Sequence, residues 1–324
     1  MARIASIFLL VVAVCFSTTR VYAGPLRTKS EVAWIEEIEQ QAIEKGISPD
    51  IVHEALDDFK PNRRVIELYQ RQPETTISFA AYRRISVAPA RVKKGAELMR
   101  LYAGELNAIE ARTGVPPEVV MALWAVESSF GQKIGDFEVV DALATLAFEG
   151  RRAVFFRNQL FAAFQILERE HMEPADLRGS WAGALGQCQF MPSVYLKYAV
   201  DENSDGKRDI WNDPVDALGS IATYLAAEGW KRAETWGREA EGGEEAPAFN
   251  GNLGNTISLQ EWEPNNALNG FAVTERAPAS VVEPDGEDGP RFLVYDNFRA
   301  LMRWNRSTYF ALSVGLLADK IKAY

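Results

Sequence analysis

The chain has 324 residues, long enough for a substantial buried core. Apolar residues make up 47%, charged residues 25% and aromatics 11%, which excludes bulk disorder, collagen-like repeats and a disulfide framework. A formal net charge of -10 leaves nothing to neutralise phosphates in bulk, so no nucleic-acid partner is expected, and the two histidines, His53 and His171, exclude a His-rich metal centre.

Residues 1–23 read as a secretory signal peptide. Arg3 precedes the apolar run Ile4 to Phe16, and Val21-Tyr-Ala23 is a small-x-small type of cleavage site. The run is too short to span a bilayer well, and no later stretch is longer. Val14 before Cys15 is larger than a lipid-attachment site accepts, so lipid anchoring at Cys15 is set aside. A periplasmic destination is expected. The mature chain then holds one thiol, Cys188, and no internal disulfide.

Residues 24–112 form an N-terminal helical region, with apolar positions at helical spacing from Glu31 and again from Arg91 to Arg112. Residues 115–131, 138–149 and 151–171 are amphipathic helix candidates. Another spans 214–230, opening on the N-cap and first-turn pair Asp213-Pro214. A core spans 113–238. The composition shifts near residue 238. Glu239 to Asn255 is rich in Gly, Glu and Asn and reads as a linker or an exposed contact for envelope complexes. Short strand-like pieces follow at Ile257-Ser-Leu, Phe271-Ala-Val and Ala279-Ser-Val-Val, making 239–291 a small β-rich insertion. Residues 292–324 return to the core as one helical stretch from Phe298 to Lys322. The fold expected is mainly α with a small β-rich subdomain.

Two segments carry chemistry. In Gly114-Val-Pro-Pro-Glu-Val-Val-Met-Ala-Leu-Trp-Ala-Val-Glu-Ser-Ser-Phe-Gly131, the prolines suit a first turn and Gly131 a stop. The apolar stripe Val120, Leu123, Trp124 then meets Glu127 at i+7. Burial and the negative end of the helix dipole both disfavour its charge, as a general acid requires. The competing reading is a structural Glu paired to Arg151 or Arg152. The second segment is Gly179-Ser-Trp-Ala-Gly-Ala-Leu-Gly-Gln-Cys-Gln-Phe-Met-Pro-Ser193, dense in small residues that allow close backbone approach. A third feature, Asp201, Asn203, Asp205, Lys207 (through its carbonyl) and Asp209 with Gly206, has EF-hand-like spacing. Asn212 stands where a bidentate Glu is usual. The segment 201–216 is read either as a structural Ca²⁺ clip or as a polar turn closed by Asx hydrogen bonds.

Val-Glu-Ser-Ser-Phe-Gly at 126–131 and the segment 179–193, together with Asp-Gly-x-x-Asp-Ile-Trp-Asn-Asp-Pro-Val-Asp-Ala at 205–217 and Tyr-Asp-Asn-Phe-Arg-Ala-Leu-Met-Arg-Trp-Asn-Arg-Ser-Thr-Tyr-Phe-Ala-Leu-Ser-Val at 295–314, resemble the lytic murein transglycosylase B family over roughly residues 30–322. The resemblance implies a lysozyme-like helical catalytic core. It implies cleavage of the MurNAc–GlcNAc β-1,4 bond of peptidoglycan with formation of 1,6-anhydroMurNAc ends, without a catalytic cofactor. Glu127 matches the single acid/base. Ser180 matches a contact to the substrate N-acetyl group, and Gln189 a residue close to the acid. Phe190, Met191 and Tyr224 match the groove, as do Tyr82, Arg151, Arg152, Trp304 and Asn305. Asp216 matches a late acidic calcium ligand. Four departures stand out. Trp304 and Phe310 replace expected tyrosines. Gln187 and Cys188 replace an aromatic and a Gly, and Cys188 is expected to narrow the site or to offer a partly exposed thiol. A monomer acting on glycan strands is expected. Two alternatives remain: a water-using muramidase with a second acid from Asp136, Asp141 or Asp176, and a non-catalytic glycan-binding protein.

Overall fold

The computed structural model describes residues 28–71, 77–149, 151–240, 257–258, 278–286 and 289–324. The expected signal peptide with Cys15, the Phe271 strand piece and all but the start of the acidic stretch lie outside the described residues. No described helix is long and apolar enough to cross a membrane.

Six helices precede the core: α1 (Lys29–Glu44), α2 (Pro49–Leu56), α3 (Arg63–Gln70), α4 (Phe79–Ser86), α5 (Pro89–Leu101) and α6 (Ala103–Thr113). Their starts are written in the sequence. Thr28 and Glu31 form a capping box on α1, and Asn62 and Ser78 accept backbone N–H groups at the heads of α3 and α4. Gly114, at φ +76, ends α6.

The core is built around α7 (Pro117–Ser128), which packs against α5, α6 and α11 (Pro214–Ala227). Every residue of α7 from Val119 to Ala125 is buried, so the helix has no wet face over that span, where the sequence suggested a single stripe. The helices α8 (Val139–Glu149) and α9 (Ala153–Glu170) pack on each other, and the short α10 (Pro192–Tyr198) packs on α9. The expected helix at 298–322 is two helices, α12 (Asp296–Trp304) and α13 (Thr308–Lys322), and α13 also packs on α7. Asn305 is extended at φ -141 and ψ 122, and Ser307 Oγ accepts the Phe310 N–H to start α13. Local capping chemistry therefore overrides a continuous apolar periodicity.

Among the described residues two small antiparallel sheets complete the fold. β1 (Phe137–Glu138) pairs with β2 (Arg178–Gly179), Phe137 opposite Gly179. Among the described residues the second sheet has the order β3-β6-β5-β4, from β3 (Gly237–Ala240), β4 (Ile257–Ser258), β5 (Pro278–Val282) and β6 (Arg291–Val294). β3 straddles the composition shift near residue 238, so its first two residues were read as core and its last two as linker. Phe292, Leu293 and Val294 are fully buried. The β5–β6 turn reaches back to α4: Asp285 accepts the N–H groups of Phe79 at 2.6 Å and Ala80 at 3.1 Å, and the Tyr309 hydroxyl at 3.1 Å. Those donors hold the Asp285 carboxyl below its usual range. Arg83 forks onto both Glu239 oxygens at 3.0 and 2.9 Å. The sheet thus grips α4, which carries Tyr82.

Candidate active site

Glu127 occupies the last turn of α7. The helix stops on consecutive left-handed residues, Ser129 at φ 52 and Phe130 at φ 61, followed by Gly131 at φ 79. The stop therefore comes before the expected glycine. Ser128 Oγ accepts the Gly131 N–H at 2.9 Å and the Phe130 N–H donates to the Trp124 carbonyl at 3.2 Å, which compensates two non-Gly residues in that region. The turn ends the helix directly beneath the acid.

The Glu127 side chain keeps partial solvent contact while protein crowds its carboxyl group. Burial pushes that carboxyl up to about 7, and the N–H of Trp304, 2.6 Å from Oε1, pulls the other way. No ion pair involves Glu127 among the described residues, so the pairing with Arg151 or Arg152 is not what the molecule does. No neighbouring acid contributes to the Glu127 shift. Asp141 is tied to Asn62 at 2.9 Å, and its carboxyl feels Glu138 rather than Glu127. The groups that feel the Glu127 charge are Tyr82 and Cys188.

Trp304, the last residue of α12, is wedged among aromatics. Its ring lies 4.7 Å from Tyr224 at 67° and 5.3 Å from Phe190 at 50°. The Tyr224 hydroxyl donates to the Arg303 carbonyl at 2.8 Å, pinning the end of α12 to α11. Asn305 is exposed beside it, its Oδ1 accepting the Ser307 N–H at 3.1 Å. Tyr82 sits edge-on to Tyr309, 5.8 Å between centroids. Phe310 is buried. Position 310 therefore brings no hydroxyl, and the hydroxyl of the neighbouring Tyr309 donates to Asp285 and the Pro284 carbonyl.

The Gly/Ala-rich segment forms a wall pinned at both ends. Ser180 Oγ accepts the Ala184 N–H at 3.0 Å, and Leu185 exchanges both backbone hydrogen bonds with Phe190 at 2.7 and 3.2 Å. A Cβ at Gly179 would collide with the Ala184 carbonyl, which explains the glycine. Gln189, at φ 51, donates its side-chain amide to the carbonyls of Gly186 at 2.8 Å and Ile134 at 3.2 Å, leaving its side-chain oxygen to offer. Met191 lines a recess of about 720 Å³ with Trp181 and the exposed Arg151 and Arg152, where Arg152 lies over Phe155 at 4.2 Å.

Cys188 departs from expectation. It is fully buried, its thiol donating to the Ala217 carbonyl at 3.3 Å, and it neither narrows the groove nor meets solvent. Gln187, noted in the sequence only as a departure, accepts the Trp124 indole N–H at 2.9 Å and donates to the Trp211 carbonyl at 3.1 Å, a bridge from α7 to the wall that sequence reasoning missed. It also missed the indole on Glu127. Neither contact has a local signature, because the partners are 63 and 177 residues apart. Cavity size does not find the site either. A recess of about 1040 Å³ opens at the N-terminal end of α7, around Pro116 to Val119 and Trp236.

The loop at 201–216 offers oxygen donors alone, the chemistry a hard cation takes, and Gly206 at φ 93 makes its turn. As placed, those oxygens accept backbone N–H groups. Asp201 takes those of Asp205 and Gly206, Asn203 that of Asp205, Asp205 that of Lys207, Asp209 those of Trp211 and Asn212, and Asp216 those of Glu202 and Asp209. Among the described residues no three His, Cys, Asp or Glu side chains converge as a metal site.

A helical core closing on one crowded carboxyl, with aromatics along the cleft, defines a lysozyme-like enzyme. The sequence profile described as Transglycosylase SLT domain matches residues 30–319, and the chain belongs to that family. It is 32% identical over 298 residues to Membrane-bound lytic murein transglycosylase B of Escherichia coli K12, covering 87% of this chain and 82% of that protein. SltB3 from Pseudomonas aeruginosa, solved with NAG-NAM-pentapeptide, superposes with a TM-score of 0.85 at 37% identity, covering 92% of this chain and 81% of that one. It is also solved with NAG-anhNAM-pentapeptide, with a TM-score of 0.84 at 38% identity over 91% and 80% of the chains. Slt35 of E. coli, solved with calcium, gives 0.77 at 31% identity over 89% and 92%.

Proposed function

We propose that this protein is a lytic transglycosylase that cleaves the MurNAc–GlcNAc β-1,4 bond of peptidoglycan and leaves 1,6-anhydroMurNAc ends, with Glu127 as sole acid/base. The observation that carries the reading is a crowded carboxyl held near neutrality, with no second acid acting on it among the described residues. A hydrolytic glycosidase needs two carboxyl groups flanking the bond. Here the substrate supplies the second group. Glu127 gives its proton to the leaving GlcNAc oxygen as that oxygen parts from C1. The C6 hydroxyl oxygen of the same MurNAc then bonds to C1, and its proton returns to Glu127. No water is consumed and the acid is regenerated. An intramolecular nucleophile already has a high effective concentration. The relative solved with an anhNAM peptide supports this over the muramidase alternative.

Ser180 and Gln189 contact the N-acetyl and ring substituents, and Phe190, Met191, Tyr224, Tyr82, Trp304 and Asn305 bound the cleft. Arg151 and Arg152, set by Met191, take the acidic groups of the peptide-bearing sugar. The enzyme works in the periplasm after removal of residues 1–23. The loop at 201–216 takes a structural Ca²⁺ on Asp201, Asn203, Asp205, the Lys207 carbonyl, Asp209 and Asp216. The calcium complex of Slt35 supports this, and the ion has no part in the chemistry. Calcium then raises the Tm of metal-stripped protein, and an unchanged Tm means that the loop is closed by its own hydrogen bonds.

Mass spectrometry of products from purified peptidoglycan tests the reaction. Anhydro ends lack one water relative to reducing ends, and Glu127→Gln yields neither. Reducing ends from the wild type would establish the muramidase instead.

A further inference from the structure

We infer that Trp304 is a positioning residue that confines the transferable proton of Glu127 to Oε2, by keeping an indole N–H on Oε1 in both protonation states. The inference rests on Glu127 being the general acid.

An indole nitrogen donates and never accepts. A hydroxyl in its place turns over and accepts once the carboxyl is protonated, so either carboxyl oxygen then carries the proton. The indole has no such freedom. At 2.6 Å its hydrogen takes one lone pair of Oε1, and Oε1 accepts it more strongly as the carbonyl oxygen of the acid than as the hydroxyl oxygen. The acid therefore carries its proton on Oε2, which makes no hydrogen bond among the described residues. The ring cannot swing away, because Tyr224 and Phe190 hold it and the Tyr224 hydroxyl fixes the backbone one residue before it. This donor stands where the resemblance leads one to expect a tyrosine at position 304.

A merely structural Trp–Glu contact fits less well. The carboxylate has no cation partner among the described residues, and the indole touches it at the end of a helix that breaks there. The other groups around the acid stay silent where it titrates. Tyr82 on α4 and Cys188 in the wall are pushed up by burial and by the Glu127 charge, and Arg91, which donates to the Ser86 carbonyl at 2.8 Å, acts on Tyr82.

The test uses Trp304→Phe, and a second protein in which a benzothiophene side chain replaces the indole, exchanging N–H for sulfur at nearly the same shape. The readouts are the titration of a ¹³C-labelled Glu127 carboxyl followed by NMR and the pH profile of kcat. Loss of the donor raises the Glu127 midpoint and the alkaline limb of kcat by about one pH unit, because the N–H favours the carboxylate. It lowers kcat roughly tenfold and changes KM less than about twofold. The benzothiophene protein gives the same shift with its packing kept. A midpoint that stays at the wild-type value in the folded benzothiophene protein overturns the inference. Products that carry an added water overturn the transglycosylase reading while leaving the titration result standing, so the two failures are distinct.

Discussion

Glu127 costs the fold stability. Its folded pKa of about 7 lies above the ordinary 4.5, so the native state binds this proton more tightly than the unfolded chain. The sign follows: stability falls as pH rises from about 4.5 to about 7 and stays lower above that range. Gln has the same shape and no charge. Glu127→Gln is therefore expected to be more stable than wild type by about 2 kcal/mol near pH 8, with the difference vanishing at acidic pH. Urea unfolding of both proteins across that range measures it, and equal stability at alkaline pH contradicts the crowded-carboxyl account. Asp319 on α13, bonded to the Trp236 indole at 3.1 Å and raised to about 6 by burial, acts in the same direction, so the wild type grows more stable towards mildly acidic pH.

At the scale of elements, the cleft depends on contacts made far from the acid. α4 presents Tyr82, and its head is seated on Asp285 from the β5–β6 turn. Asp285→Ala removes the acceptor for Phe79 and Ala80 and for the Tyr309 hydroxyl. A lower Tm and a kcat/KM reduced several-fold are expected, with the Glu127 titration unmoved; unchanged kinetics would show that α4 is held by Arg83 and Glu239 alone. The native Asp285 contribution is present at neutral pH and lost as acid protonates that carboxylate, the opposite sign to Glu127. The helical character of these stretches was legible from periodicity, and Asp213-Pro214 marked one start; the caps at Thr28, Asn62 and Ser78 and the division of 91–112 at Tyr102 were not read. The break at Asn305–Ser307 was not. A short cap inside a continuous apolar pattern loses to periodicity on paper and wins in the chain, where an N-cap hydrogen bond and the packing of Trp304 act together. The left-handed stop at Ser129 was hidden for a related reason, since a nearby glycine suggested a different stop.

Across the whole molecule, the legible part of the site was what the wall and α7 encode locally: the acid on an apolar helix and the small residues that let backbones meet. Assembly of the cleft was illegible, because Trp304, Tyr224 and Tyr82 come from three segments whose meeting is decided by tertiary packing. The thiol was misjudged because position 188 lies in a wall segment, and its inward direction follows from the Leu185–Phe190 bridge rather than from any neighbour in sequence.

That inward thiol has a practical corollary. In the processed protein proposed above, which lacks residues 1–23 and with them Cys15, Cys188 is the one sulfhydryl, and it is sealed beneath α11. A disulfide reagent such as Ellman's has to wait for the wall to lift before it reacts. Its rate then clocks spontaneous opening of the catalytic lobe, without any engineered label, and a glycan lodged in the cleft slows that clock in proportion to how firmly it holds the wall shut.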